Sequence, residues 1–143
     1  MASFKTYNPA FVVVSFGEVN VTGFMDGTFI EAERDEDAFT KHVGSTGDVT
    51  RTRNLNTSGK VTLTLVAASP TNDLLAVIHA ADELLGLSYR PLQIKDLSGN
   101  MVCRSTQAWV MKPPKIERAK ESGSCVWVFD CADLKIFAGG NVI

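Results

Sequence analysis

The chain has 143 residues, enough for one domain that buries about 70% of the surface its unfolded form exposes, so a hydrophobic core can form without staples. Hydrophobic residues make up 45% and charged residues 21%, the balance of a globular chain rather than a disordered one. Its 14 Lys and Arg against 16 Asp and Glu leave a formal charge of -2, which excludes a surface built to neutralise many phosphates.

Residues 1–10 lead into Phe11–Phe16, a run too short for a signal-peptide core. No stretch approaches the roughly 20 apolar residues of a membrane helix. A chain that folds in the cytosol without a membrane anchor is expected.

Phe11–Phe16 is β-branched and aromatic, ends at Gly17 and reads as a buried strand. A short strand over Glu18–Thr22 follows, then a turn at Gly23 and Asp26-Gly27, then a strand over Thr28–Ala32. The acid-rich segment from Glu33 through Asp37, continuing past Phe39, Lys41 and His42 to Gly44, has too few apolar residues for a packed element. It is expected to be a long charged loop at about 33–46, and a loop of that length suggests a role in contacts.

Asp48–Asn54 and Lys60–Val66 alternate with period 2 around the polar turn at Asn56–Gly59, which predicts a β-hairpin. Val61, Leu63 and Leu65 share its core face, and Thr62 and Thr64 its wet face. Ser69-Pro70 opens the one expected helix, with Ser69 as cap and Pro70 in the first turn. Leu74, Val77, Ile78, Ala81 and Leu85 form its apolar stripe, and Gly86 stops it.

Beyond the helix, strands are expected over Leu92–Leu97, around Met101–Trp109 and Met111, and over Ser124–Phe137. They are separated by a turn at Ser98-Gly99-Asn100 and a break at Pro113-Pro114. In the last run Cys125, Trp127 and Phe129 share one face and Val126 and Val128 the other, so both faces are expected to be buried. Gly139–Ile143 is expected to be a flexible tail. The whole is a single domain over residues 1–143, mainly β with one α-helix.

Chemistry is not signalled. Cys103, Cys125 and Cys131 are an odd set without C-x-x-C spacing and read as packing thiols. His42 and His79 have no partner at ligand spacing, and no phosphate-binding or nucleophile motif occurs. Asp35, Glu36 and Asp37 are adjacent in an extended chain and point apart, so they cannot converge on one substrate atom. No catalytic, cofactor-binding or metal residues are expected.

Gly44–Asp48 through Arg51–Asn54, Ser58-Gly59, Thr62–Leu65 and Ser69–Leu75 resemble the tail-tube structural proteins of myophages. Phe16-Gly17, Gly23-Phe24, Asp26-Gly27 and the acidic Glu33–Asp35 support the likeness. The resemblance implies a fold shared with type VI secretion tubes: a β-sandwich or split barrel flanked by one helix. It also implies stacked hexameric rings inside a contractile sheath, forming the conduit for DNA ejection in the virion tail. Its partners would be further copies of itself and the sheath, tape measure, baseplate and tail terminator proteins. DNA would pass without specific binding, and synthesis and assembly would occur in the host bacterial cytoplasm.

On that reading Thr62 and Thr64 line the lumen. A four-residue turn places Arg53 and Arg51 opposite them, whereas a three-residue turn places Asn54 and Thr52 there. The Thr50 and Thr52 face is expected inward, because a ring of arginines would hold DNA phosphates. Asp35, Glu36, Asp37, Phe39, Lys41 and His42 are assigned to contacts between stacked rings. The competing readings are the tube of a tailocin or secretion-type injection particle, and a small β-barrel ligand-binding module.

Overall fold

The computed structural model describes residues 7–117, 119–121 and 123–141. After a single 3₁₀ turn at Pro9–Phe11 come strands β1 (Val12–Phe16), β2 (Val19–Asn20), β3 (Ile30–Arg34), β4 (Phe39–Val43), β5 (Val49–Arg53) and β6 (Gly59–Val66). Helix α1 (Thr71–Leu85) separates these from β7 (Arg90–Asp96), β8 (Gly99–Lys112), β9 (Ser124–Cys131) and β10 (Lys135–Asn141). The fold is mainly β with a single helix, as the sequence predicts.

Eight strands form one antiparallel sheet in the order β2-β1-β7-β8-β9-β6-β3, with β10 also pairing on β8. Residues 21–25 join its two ends. Val21 N–H donates to Val14 O on β1, Met25 N–H donates to Thr64 O on β6, and Val66 N–H of β6 donates to Gly23 O. The sheet therefore curls around its interior, and alternate residues of facing strands fill that space. Phe16 of β1 meets Phe129 of β9 with ring centroids 4.9 Å apart. Val61, Leu63 and Leu65 of β6, Leu92 and Ile94 of β7, and Trp127 of β9 complete the centre.

β8 and the paired segments β9 and β10 make one long hairpin. The register is the same on both sides of a break at Ala132–Leu134, with Ala108 opposite Cys131 and Arg104 opposite Lys135. The Asp133 carboxylate spans the break, accepting from Thr106 N–H at 3.1 Å, Thr106 Oγ1 at 2.9 Å and Ser105 Oγ at 3.2 Å.

Three expectations are corrected. Phe39–Val43 is a strand rather than loop, because its residues alternate and β5 supplies a backbone partner. β5 pairs with β4 and not with β6, whose edges are taken by β9 and β3. The chain is turned away between β5 and β6 by two side-chain turns, in which Asn54 Oδ1 accepts from Asn56 N–H and Asn56 Oδ1 accepts from Ser58 N–H. The Gly139–Asn141 part of the expected flexible tail belongs to β10; Val142 and Ile143, like residues 1–6, lie outside the described residues.

Asp133 gives a pH-dependent stability. Burial opposes its ionisation, but the hydroxyl and N–H of Thr106 and the Ser105 hydroxyl together hold its carboxyl below the ordinary value of 3.8. A carboxyl lowered in the folded state stabilises it fully above the ordinary value and ceases to do so as pH falls through the folded one. Asp133→Ala should cost about 1 kcal/mol at neutral pH in urea unfolding, allowing for partial exposure to water. The gap between variant and parent should narrow as pH falls below the ordinary value of 3.8.

Candidate assembly interface

β3 and β6 form a ribbon that β4 and β5 continue. Asp35 N–H donates to Ser58 O and Asn54 N–H donates to Ala38 O, so backbone pairing resumes on both sides of the joint. Ile30 to Arg34 pair with Leu63 to Gly59, and Phe39 to Val43 pair with Arg53 to Val49. Two residues, 36 and 37, thus oppose three, 55–57, and the one-residue offset bends the ribbon.

Its root is fixed to the core. Arg34 Nε donates to Leu134 O at 2.8 Å, Leu134 N–H donates to Thr57 O at 2.8 Å, and the Leu134 side chain is fully buried. A Cβ on Gly59 would stand 2.5 Å from Leu134 Cδ2 and 2.6 Å from Glu33 O, so only glycine lets the strands close at this point.

Beyond the root the arm is bare: every residue of β4 and β5 is exposed. The pleat sorts its side chains. Phe39, Lys41 and Val43 stand with Arg53, Arg51 and Val49 on one face, and Thr40 and His42 with Thr52 and Thr50 on the other. Arg51 lies over the Phe39 ring, 4.3 Å from its centroid.

The residues assigned to a contact loop therefore divide. Asp35 Oδ2 accepts from Ser58 Oγ and Glu36 Oε2 accepts from Asn54 Nδ2, which ties both acids into the bend. The Asn54 amide, followed by that of Asn56, holds the Glu36 carboxyl below its usual range. Asp37 is exposed beside them, while Phe39, Lys41 and His42 belong to β4. Val43, Val49, Arg51 and Arg53 complete the arm's apolar and basic face. The period-2 spacing of Phe39, Lys41 and Val43 was the signal for it.

Thr62 and Thr64 stand on the outward face of β6, opposite Val128 and Val126 of β9, with Glu31 of β3 across from Thr62. Thr50 and Thr52 are on the arm opposite His42 and Thr40. The four threonines do not form one row, because β5 leaves the sheet.

The helix ends at the expected Gly86 and begins one residue later than expected, at Thr71 with Pro70 in the cap position. Ser69 Oγ accepts from Thr71 N–H at 3.3 Å, Pro70 already has helical dihedrals, and Gly86 closes the last turn at φ 68° with its N–H on Asp82 O. The buried face is displaced from the predicted stripe and shares only Ile78 with it: Thr71, Leu75 and Ile78 face the core. Leu74, Val77 and Leu85 are 51%, 69% and 73% exposed, and Leu84, Leu87 and Tyr89 are exposed beside them. His79 is largely buried, with Nε2 2.7 Å from Glu83 Oε1. Val126, expected in the core, is also exposed, and Val128 on the same face is half-buried.

Among the described residues no three of His, Cys, Asp and Glu gather as a metal site. Cys103 and Cys131 are buried and unbridged, and burial pushes the Cys131 thiol up to about 11. A filled core together with a bare arm and a bare apolar helix face defines a structural β-protein whose distinctive features lie on its surface. The comparisons give the particular family. The chain belongs to the bacteriophage PhiTE tail tube protein family, whose profile matches residues 3–139. It is 28% identical over 123 residues to structural protein ORF10 of Pseudomonas phage KPP10, covering 85% of this chain and 71% of that protein.

Solved structures share the fold. The tube-terminating cap of an anti-feeding prophage superposes with TM-score 0.67 at 12% identity, over 96% of this chain and 94% of that one. A chain from the sheath-tube complex of an extracellular contractile injection system, the PVC system in its extended state, gives 0.62 at 12% identity over 93% and 92%. Phage tail tube proteins are structural components, and membership of their family implies a non-enzymatic role in the phage tail.

The two helix faces should respond differently to truncation. Leu75→Ala should cost about 2–5 kcal/mol of unfolding free energy, whereas Val77→Ser should stay within about 0.5 kcal/mol of the parent. Urea denaturation followed by circular dichroism measures both.

Proposed function

We propose that this chain assembles into stacked hexameric rings that form the inner tube of a contractile phage tail, through which the genome is ejected. The family match over residues 3–139 carries the reading. Bare apolar surface on the arm and helix supports it, because contiguous exposed apolar patches on a folded chain mark interaction sites. The similarity to a chain of a sheath-tube complex and to a sheath/tube terminator, at TM-scores 0.62 and 0.60, supports sheath and terminator proteins as partners. Tape measure and baseplate proteins complete the set in the assembled virion, after synthesis in the host cytoplasm.

The outward face of β6 with Thr62 and Thr64 is assigned to the lumen, and the arm to contacts between rings. A chain of net charge -2 lets DNA pass without holding it. The same geometry would serve a DNA-free injection particle, a reading favoured by the likeness to the anti-feeding prophage and PVC chains. A ligand-binding barrel is disfavoured by the core, where Phe16, Phe129, Leu63 and Leu92 fill the space a ligand would need.

Purified protein at high concentration should form hollow tubes of uniform diameter under negative-stain microscopy. Protein that stays monomeric, even with sheath and baseplate partners present, overturns the reading. Replacing residues 36–57 by a two-residue Asn-Gly turn between Asp35 and Ser58, which already face one another, should leave the circular dichroism spectrum intact and shift melting by less than about 5 °C. It should also abolish long tubes. Gold-labelled Thr64→Cys, in a Cys125→Ser background, should place its label on the tube axis; label on the outer wall would remove β6 from the lumen.

A further inference from the structure

We propose that the basic and apolar face of the arm docks on the bare apolar face of α1 in a second copy of this chain. The proposal rests on the assembly reading above and names the surfaces that meet.

The two surfaces match in chemistry. On the arm, Phe39, Val43 and Val49 are interleaved with Lys41, Arg51 and Arg53, and neither strand contains an acidic residue. On the helix, Leu74, Val77, Leu84 and Leu85 are bare. Its charged residues are Asp73, Asp82 and Glu83, with no Lys or Arg along its length. On the arm the cations Lys41 and Arg51 form the middle pair between Val43–Val49 and Phe39–Arg53, and on the helix Asp73 borders the bare leucines and valine while Asp82 accepts from Ser88 N–H and Glu83 pairs with His79. Apolar side chains can thus meet apolar side chains with charges of opposite sign beside them.

A chain cannot satisfy itself this way. The arm leaves β6 at Gly59 and the helix follows β6 beyond Val66, so they depart from opposite ends of a strand about 26 Å long at the usual rise per residue. Both surfaces are bare within one chain, which shows that they do not meet there. Contact between copies is then head to tail: one chain's arm meets the next chain's helix, and each joined pair keeps one free arm and one free helix. Such a contact propagates into rings or helical stacks rather than stopping at a dimer.

Nucleic acid is a weaker occupant of the arm. Its three cations alternate with apolar side chains, and Arg51 is engaged with the Phe39 ring. A phosphate-tracking surface would leave its cations free and would not need the apolar residues.

The experiment uses the full chain in a Cys125→Ser background, Cys103 and Cys131 being buried. Chains carrying Val49→Cys are mixed with chains carrying Val77→Cys, assembled and oxidised. Disulfide dimers should form between the two variants at least about tenfold more than within either, as a head-to-tail contact requires. Arg51→Glu with Arg53→Glu should raise the concentration needed for assembly by about tenfold or more, and Asp73→Arg on the same chain should recover part of that loss. Each variant's circular dichroism and melting should match the parent.

Tubes that assemble normally from the charge-reversed arm, with no mixed disulfide, overturn the docking while leaving tube formation standing. Loss of duplex DNA binding from that variant with assembly unchanged overturns it in favour of nucleic acid. A parent chain that never assembles overturns the docking together with the tube.

Discussion

Val61, Leu63 and Leu65 are fully sealed from solvent, and the strand that carries them is hydrogen-bonded along its length to β9 and at its first residues to β3. Everything else is positioned from β6. At one end Gly59 admits the close packing of Leu134 and so sets the root of the arm. At the other, Val66 receives Gly23, closing the sheet, and the chain turns through Ser69 into α1. Trp127, which lies opposite Leu63 on β9, donates through Nε1 to Asn72 Oδ1 and ties the first turn of the helix to the same core. One buried strand thus holds two solvent-facing elements at a fixed separation, which a subunit needs if its contacts are to repeat without drift.

Much of this was legible because it is written locally. The alternation through Val61–Leu65 needs a core on one side, and Ser69-Pro70 and Gly86 act on backbone groups within a turn of themselves. Strand pairing is a different kind of information. The segment that follows β5 was expected to be its partner, yet β5 pairs with β4, and β9 and β3 occupy both edges of β6. A choice decided by competition from two strands, β9 being far along the chain at Ser124–Cys131, cannot be read in a window around Asn54.

The helix shows a second limit. Leu74, Val77, Ile78, Ala81 and Leu85 satisfy the helical period as well as Thr71, Leu75 and Ile78 do, and the two stripes overlap at Ile78 on one cylinder. Periodicity reports that a face needs covering; it does not report whether the cover comes from the same chain. Within the expected stripe Ile78 is covered by its own core, whereas Leu74, Val77 and Leu85 are not. The arm is the same case in a strand: Phe39, Val43 and Val49 alternate as core residues do, yet no core of their own chain reaches them.

The offset in the ribbon, where residues 36 and 37 oppose 55–57, separates two design variables. Upstream of it, register is locked by the main sheet; downstream, only β4 and β5 constrain one another. Inserting or deleting a residue in the 55–57 segment would re-aim the arm like a hinge pin moved by one hole, while Gly59, Leu134 and the sealed strand behind them stay where they are. Pitch and reach can therefore drift between related sequences through small length changes in this joint, without any renegotiation of the core.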